Sequence, residues 1–437
     1  MIQAPTNYEK SSKTNLIGRL SRVIAGGLVV GAVAQGALLI MHILLGRELG
    51  PTDYGMFSFV LGVTVLLAQV IPFGWQALIT RLIAQYSVER NWGLLRGAVL
   101  RSNQITVVNA LFAALTIYFA THWMALEAEI ATGMGFGALL LPFLAVKILR
   151  RRQLMGLHQP KLALFLDDGA APLFMIAIVV TVGITNPGQA ILIYTVIVIF
   201  ICIVATIALQ RGMPEQARTA KAEFQTRAWI GIALPLTLAI ASRMVLNRID
   251  ILMIAPMLGF HDVGLYSAAQ RISYVLLFVP MVIGTVTSSM IANAFYKNDL
   301  MEVRRIFIIS MGISALAASL IMVVLIPFSD IVIRLTYSQR FTDAAVLLQI
   351  LAFGQFVFAS SGPIASVMMM TGQEKAFSYT ITVIVVVNVV GNFIAIPILG
   401  AVGAALVTAA CTTALSIWQF FLLNRRLKMF MGKIDSI

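Results

Sequence analysis

Charge is scarce in this sequence, and acid is scarcer than base. Only 11% of its 437 residues are charged, with 18 acidic side chains against 31 lysines and arginines. Cysteine occurs twice, as Cys202 and Cys411, both inside apolar runs. That isolation argues against a thiolate metal site and against a disulfide framework, and both read as small packing residues. A phosphate-binding glycine loop is also missing. The stretch GAVGAA beginning at Gly400 has no Lys-Ser/Thr after it, so it reads as a tight-packing helical turn, not a nucleotide site. No loop is long enough to fold as a separate domain, and no cofactor is expected.

What is present is oil: 59% of the residues are hydrophobic and the mean hydropathy is +0.93. One soluble core could not hide so much apolar surface. Runs of about 20 residues, each able to cross a bilayer core of roughly 30 Å, explain it. The first run, Val23 to Leu45, is too long for a signal-peptide core and lacks a small-residue cleavage site, so it is expected to remain as the first spanning helix. Backbone groups at membrane depth must be satisfied internally. Stretches such as ITVIVVVNVV do not alternate as barrel strands would. The fold class expected is therefore an all-α polytopic membrane protein with twelve transmembrane helices in two six-helix bundles. The spans read as about 23–45, 56–80, 102–121, 133–149, 162–183, 189–209, 229–254, 265–294, 306–327, 345–370, 377–397 and 401–423. The expected divisions are a cytoplasmic segment 1–22, a bundle 23–209, a linker 210–228, a bundle 229–423 and a tail 424–437.

A net charge of +13 could suggest nucleic acid, but the positions of the basic residues suggest membrane orientation. The tails and alternate loops on one side carry 25 lysines and arginines, and the opposite loops carry Arg47, Arg334 and Arg340 alone. This asymmetry places both termini in the cytoplasm and requires an even number of spans. No nucleic-acid partner is expected. The linker, Gln210 to Arg227, is basic and rich in helix formers, and is expected to lie along the headgroups.

The first polar break, LGRELGPTDYGMFS (Leu45–Ser58), returns 209 residues later as LGFHDVGLYS within Ile254–Ser267. Leu49, Gly50, Asp53, Gly55 and Ser58 recur as Leu258, Gly259, Asp262, Gly264 and Ser267, and Phe57 as Tyr266. Both hairpins fall on the same face and run in the same direction, which implies parallel repeats about an axis normal to the membrane. The glycines suit positive backbone angles, and Asp53 and Asp262 are placed to cap the next helix.

Charges within spans cost about 2.5–3.5 kcal/mol each at the bilayer centre on the insertion scale, so they mark cavities. Arg243, Asn247 and Asp250 in helix 7 form a stripe at about 100° per residue, with Arg248 pointing away from it. Arg271 lies near the outer end of helix 8. In helix 1, Gly27, Gly31, Gln35 and His42 share a face. Gly27 and Gly31 read as close-packing positions, and His42, with Asp250, as a candidate for ion coupling. Asp167 and Asp168 read as a solvated pair opposite Arg150–Arg152, and Arg47 with Glu48 as a pair within the loop. Arg243, Arg248 and Arg271 outnumber Asp250 by two charges, an excess suited to an anionic cargo because guanidinium forks match phosphate oxygens. The expected substrate-binding set is Arg243, Asn247, Asp250, Arg248, Arg271 and Gln35.

The stretches LGRELGPTDYGMFSF, NRIDILMIAPMLGFHDVGLYSAAQRISY and NVVGNFIAIPILGAVGAAL resemble signature segments of the polysaccharide-transport branch of the MOP exporter superfamily, the Wzx-type flippases. The likeness runs from helix 1 to helix 12. It implies two lobes around a central cationic cavity, alternating access, and a polyprenyl-diphosphate-linked oligosaccharide as cargo, in a bacterial inner membrane. Partners would be that lipid-linked oligosaccharide, membrane lipids, and a polysaccharide polymerase or glycosyltransferases. Two other functions compete. A MATE-type cation-coupled exporter would want buried acids, and helix 1 has none. A membrane-embedded glycan enzyme would want an acid–base constellation on an outer loop. The sizeable outer loop, PFSDIVIRLTYSQRFTDAA, offers Asp330, Arg334, Arg340 and Asp343 without one.

Overall fold

The computed structural model describes the backbone of residues 7–123, 128–297 and 299–434. Side chains are described for residues 31–121, 123, 130–234, 237, 241, 244–288, 290–297 and 299–425. Among these residues there are helices and no strands.

Nine helical stretches among the described residues are apolar and long enough to span a membrane. Two of them, Gly31–Val70 and Glu374–Arg425, each contain a fold-back at a glycine, Gly50 and Gly400. Residues 226–258 supply a further crossing in two segments, so the described residues are long and apolar enough for twelve crossings. The first bundle comprises α1 (7–49), α2 (51–70, continued by Trp75–Val88), α3 (Trp92–Trp123), α4 (Ala128–Gly156), α5 (Pro160–Val182) and α6 (Pro187–Gly212). The second comprises α7 (Thr226–Leu246 and Ile249–Leu258), α8 (Phe260–Tyr296), α9 (Leu300–Leu325), α10 (Ala344–Met370), α11 (374–399) and α12 (401–434).

The repeated hairpins are tighter than a loop. α1 and α2 meet at Gly50 alone, whose φ of 77° and ψ of 176° turn the chain in one residue, and Pro51 then starts α2 with a preset φ. Gly259 repeats the geometry between α7 and α8, at φ 92° and ψ 178°. A residue with a Cβ rarely takes these angles. Gly259 is itself the residue that precedes α8, without a side-chain cap, and Asp262 sits in the first turn. There its charge complements the helix dipole, a different role from the expected cap.

Several spans are interrupted where apolar length predicts continuous helices. α2 breaks before Gly74, α5 carries a π-turn at Phe165–Gly169, and α8 narrows to a 3-10 turn at Tyr274–Leu277. α7 is broken between Leu246 and Ile249.

The interlobe linker, expected along the headgroups, packs on the start of α3. Only Glu215–Thr219 is helical, and residues 220–224 are strapped onto α3. The Glu223 N–H donates to the Gly93 carbonyl at 3.0 Å, Arg96 donates to the Ala220 carbonyl at 2.7 Å, and the Arg101 guanidinium lies 4.7 Å above the Phe224 ring. A Cβ on Gly97 would stand 1.7 Å from the Glu223 carbonyl oxygen, so α3 and the strap meet backbone to backbone. Immediately beyond, Trp229 of α7 buries its ring against Trp75 of α2, with centroids 5.8 Å apart, and donates from its indole N–H to the Tyr86 hydroxyl at 3.0 Å.

Candidate functional site

The lobes touch at the α2–α7 seam and again between the α1–α2 hairpin and α8. At this second contact the repeat acquires a physical purpose. A Cβ on Gly55 would meet the Phe260 carbonyl oxygen at 1.8 Å, and one on Gly264 the Pro51 carbonyl oxygen at 1.9 Å. Two residues equivalent by the repeat thus make one backbone crossing between the lobes, which only glycine permits.

Below that crossing, α1 and α8 part around a cavity of about 410 Å³. Its walls are mainly apolar, including Leu39, Phe278 and Met281, and Gln35, Arg271 and Tyr274 supply its polar groups. Two residues of the expected set, Gln35 and Arg271, therefore line one space from opposite lobes. Tyr274 and Phe278 carry no signal of their own in the sequence; they open and follow the irregular turn of α8. Gly31 does not serve close packing, since open space lies where its Cβ would stand, and Gly27 lies outside the residues whose surroundings are described.

Of the helix-7 stripe, the structure describes the side chains of Asn247 and Asp250. The stripe presumes an unbroken helix, and the interruption at Asn247 and Arg248 rotates the segment beyond it. Asn247 is exposed, whereas Asp250 is 1% exposed and turned into its own lobe, away from the cavity. Arg248, expected to be peripheral, is half-buried and within electrostatic reach of Arg271 and Tyr274. Neither Arg248 nor Arg271 has an ion-pair partner among the described residues. The side chain of Arg243 lies outside the described residues.

Asp250 is the centre of a second polar cluster. Its carboxylate accepts a hydrogen bond from the Tyr266 hydroxyl and another from Asn392 Nδ2, each at 2.7 Å. Asn392 also donates to Asn388 Oδ1 at 3.1 Å, and Asn388 donates to Thr408 Oγ1 at 3.4 Å. Asn392 Oδ1 is buried without a partner. An orphaned buried acceptor beside a carboxylate is costly unless a hydrogen-bond donor or a cation completes the shell. One carboxylate with amide and hydroxyl oxygens suits a hard monovalent cation or a proton better than a transition metal, and no group of three His, Cys, Asp or Glu able to hold a metal occurs among the described residues. Asn388 and Asn392, spaced i, i+4 in an apolar span, are the available signal for this cluster.

His42 is fully buried, with Nδ1 3.1 Å from the Tyr54 hydroxyl and Nε2 without a partner. It packs among aromatic rings near the hairpin, and its neighbours belong to the closure of the lobes and not to the Asp250 cluster. Asp167 is also not solvated. Lys147 pairs with it at 3.3 Å and Arg151 at 2.7 Å, and Arg151 also reaches Asp168 at 3.1 Å. Arg150 serves elsewhere, donating to Asn103 at 2.7 Å and to Gln153 at 2.6 Å. The charges of this group offset one another, in contrast to Arg248 and Arg271, whose guanidinium groups have no ion-pair partner among the described residues. Cys202 and Cys411 are buried and free.

No curated protein matches the chain by sequence. Among solved structures it is similar to the lipid II flippase MurJ in an inward closed conformation, with a TM-score of 0.72 and 14% identity over 91% of this chain and 87% of that one. It is also similar to an inward-facing multidrug resistance MATE family transporter of the MOP superfamily, at TM-score 0.70 and 13% identity over 93% and 96% of the two chains. A third is a MOP superfamily transporter from Pyrococcus furiosus, described as having a binding pocket of reverse polarity, at 0.65 and 13% over 93% and 96%. Likeness at such identities establishes the shared fold. The MatE family model matches residues 235–394. The model described as polysaccharide biosynthesis protein matches residues 24–295, more than half of the sequence, and the chain therefore belongs to that family of membrane proteins.

Proposed function

We propose that this protein moves a polyprenyl-diphosphate-linked oligosaccharide, an O-antigen, capsule or exopolysaccharide repeat unit, from the cytoplasmic to the outer leaflet of a bacterial inner membrane. The observation that carries this reading is the cavity between α1 and α8, apolar along most of its wall and furnished with Arg271, Gln35 and Tyr274. A prenyl chain and a diphosphate need those two surfaces side by side. Arg271, in the cavity wall and without an ion-pair partner among the described residues, offers the cationic end, where a guanidinium fork engages phosphate oxygens, and Arg248 lies within electrostatic reach of it. A cationic drug would be repelled there.

In this reading both termini face the cytoplasm, which the basic loops support. Alternating access then consists of rocking the lobes about the α2–α7 seam while α1 and α8 separate. Energy enters through the cluster at Asp250, where a monovalent cation or a proton binds. His42, the other candidate for coupling, takes a structural part instead.

The test is complementation of a strain lacking the gene, with membrane abundance measured in parallel. Removing one charge-assisted contact costs about 1.5–3 kcal/mol, roughly a tenfold to hundredfold loss of binding. Arg271→Ala should therefore abolish or strongly reduce glycan export at normal abundance, and Arg271→Lys should restore part of it, because a point charge replaces a fork. Full export by Arg271→Ala would move the phosphate contact to Arg248 or Arg243.

A further inference from the structure

The outer loop that offers no acid–base constellation to the glycan-enzyme reading has a different part in the structure. Residues 328–341 leave α9, form the short helix Ser329–Thr336, and return over a 3-10 turn at Gln339–Phe341. They belong to the second lobe, yet they grip the first. The Arg47 guanidinium, expected to pair with Glu48, donates to the carbonyls of Thr336 and Leu335. It thereby caps the C-terminus of the short helix, where the dipole favours a cation. The Tyr337 ring lies flush on α1: a Cβ on Gly46 would stand 2.4 Å from it. The Tyr337 hydroxyl is 3.4 Å from that of Tyr54, which in turn contacts His42. Tyr54, Tyr337 and Phe341 stack into one fully buried aromatic cluster, with ring centroids 5.1–6.0 Å apart.

Two further observations mark this as a contact held by the opposite lobe. Ser338 takes φ 127°, and its hydroxyl is buried without a partner, so the chain accepts local strain to seat Tyr337. Among the described residues the first lobe shows no counterpart, α3 running to Trp123 and α4 beginning at Ala128. The backbone crossing at Gly55 and Gly264 lies beside the grip on the same hairpin.

We infer that residues 328–341 are a one-sided latch that holds the outer mouth shut, with Arg47, Gly46 and Tyr54 of the first lobe as its catch. The glycine crossing is the symmetric part of the closure and the latch is the asymmetric part. Cargo can leave outward only after Tyr337 lifts from Gly46 and Arg47 releases the helix end. The inference concerns access and holds whatever the cargo is.

The experiment reads access directly. Gly36 lines the cavity with nothing within 4 Å of where its Cβ would stand, so Gly36→Cys in a Cys202→Ala/Cys411→Ala background places a thiol there without a clash. Intact cells are treated with a membrane-impermeant maleimide, and labelling is followed over time. The latch predicts slow labelling in the parent. It predicts roughly tenfold faster labelling in Arg47→Ala and in Tyr337→Ala, the population change for losing one or two hydrogen bonds. Gly46→Ala is the control for folding, since alanine improves the helix and disturbs only the Tyr337 seat; it should label faster as well. Parental labelling rates in Gly46→Ala and Arg47→Ala, with normal size-exclusion profiles, would overturn the latch. Faster labelling with unchanged glycan identity and impaired export would support it independently of what Arg271 binds.

Discussion

Asp250 shows how much one side chain's orientation decides. Read along an ideal helix it belongs to a cavity wall, but in the structure it is the buried anion of a cluster with Tyr266, Asn388, Asn392 and Thr408. Asp250→Asn keeps the shape and leaves one oxygen to accept a hydrogen bond, and it removes the charge. If the cluster binds a coupling cation, this variant should insert normally and lose the response of export to an imposed sodium or proton gradient. Basal exchange should persist, and transport assays in proteoliposomes with and without each gradient measure both. A variant that still responds to one of the gradients would separate Asp250 from coupling. Arg271 is legible in the sequence because it stands in an otherwise apolar span and lines the cavity that the structure places there. Asp250 is misplaced by the ideal helix for an equally physical reason. Neither Gly nor Pro occurs between Leu246 and Asp250, so nothing local announces that the helix stops and restarts at Arg248.

At the scale of elements, spans are legible and their interruptions are not. Apolar length fixes a crossing, and the hairpin repeat foretells the shared conformation of Gly50 and Gly259. Contacts far apart in sequence leave no such trace. Arg47 and its carbonyl partners are separated by 289 and 288 residues, and the strap on α3 depends on Gly93 and Gly97 meeting Glu223 backbone to backbone. The strap has its own consequence. Gly97→Val should displace it, because any Cβ there collides with a carbonyl that cannot rotate away. The expected outcome is new proteolytic cleavage between residues 213 and 225 in membranes, with the α2–α7 seam intact. Resistance equal to the parent would mean that Arg96 and Arg101 hold the linker by themselves. Gly93→Ala meets the Glu223 carboxylate and the Lys221 carbonyl at 3.0 Å, a milder crowding that should give partial cleavage.

The whole molecule is two similar bundles used unequally. The glycine crossing obeys the repeat, whereas among the described residues the latch, the Asp250 cluster and the broken α7 belong to the second lobe alone, and the strap ties the linker to the first. One edge between the bundles, α1 with α8, encloses the cavity. The other, α2 with α7, is closed by Trp75, Trp229 and Tyr86, and Gly74 approaches Ala233 so closely that a Cβ would stand 2.0 Å from its carbonyl oxygen. That closed edge also makes the protein its own optical probe. Two of the five tryptophans in the chain sit there, edge to face and dry, one of them hydrogen-bonded to a phenol. If the edge is a fixed pivot, cargo and gradients will leave its emission wavelength unchanged while cavity accessibility cycles. If the edge opens during transport, Trp229 meets water and its fluorescence shifts to the red. Tyr86→Phe, by removing the indole's acceptor, identifies which component of the spectrum to watch.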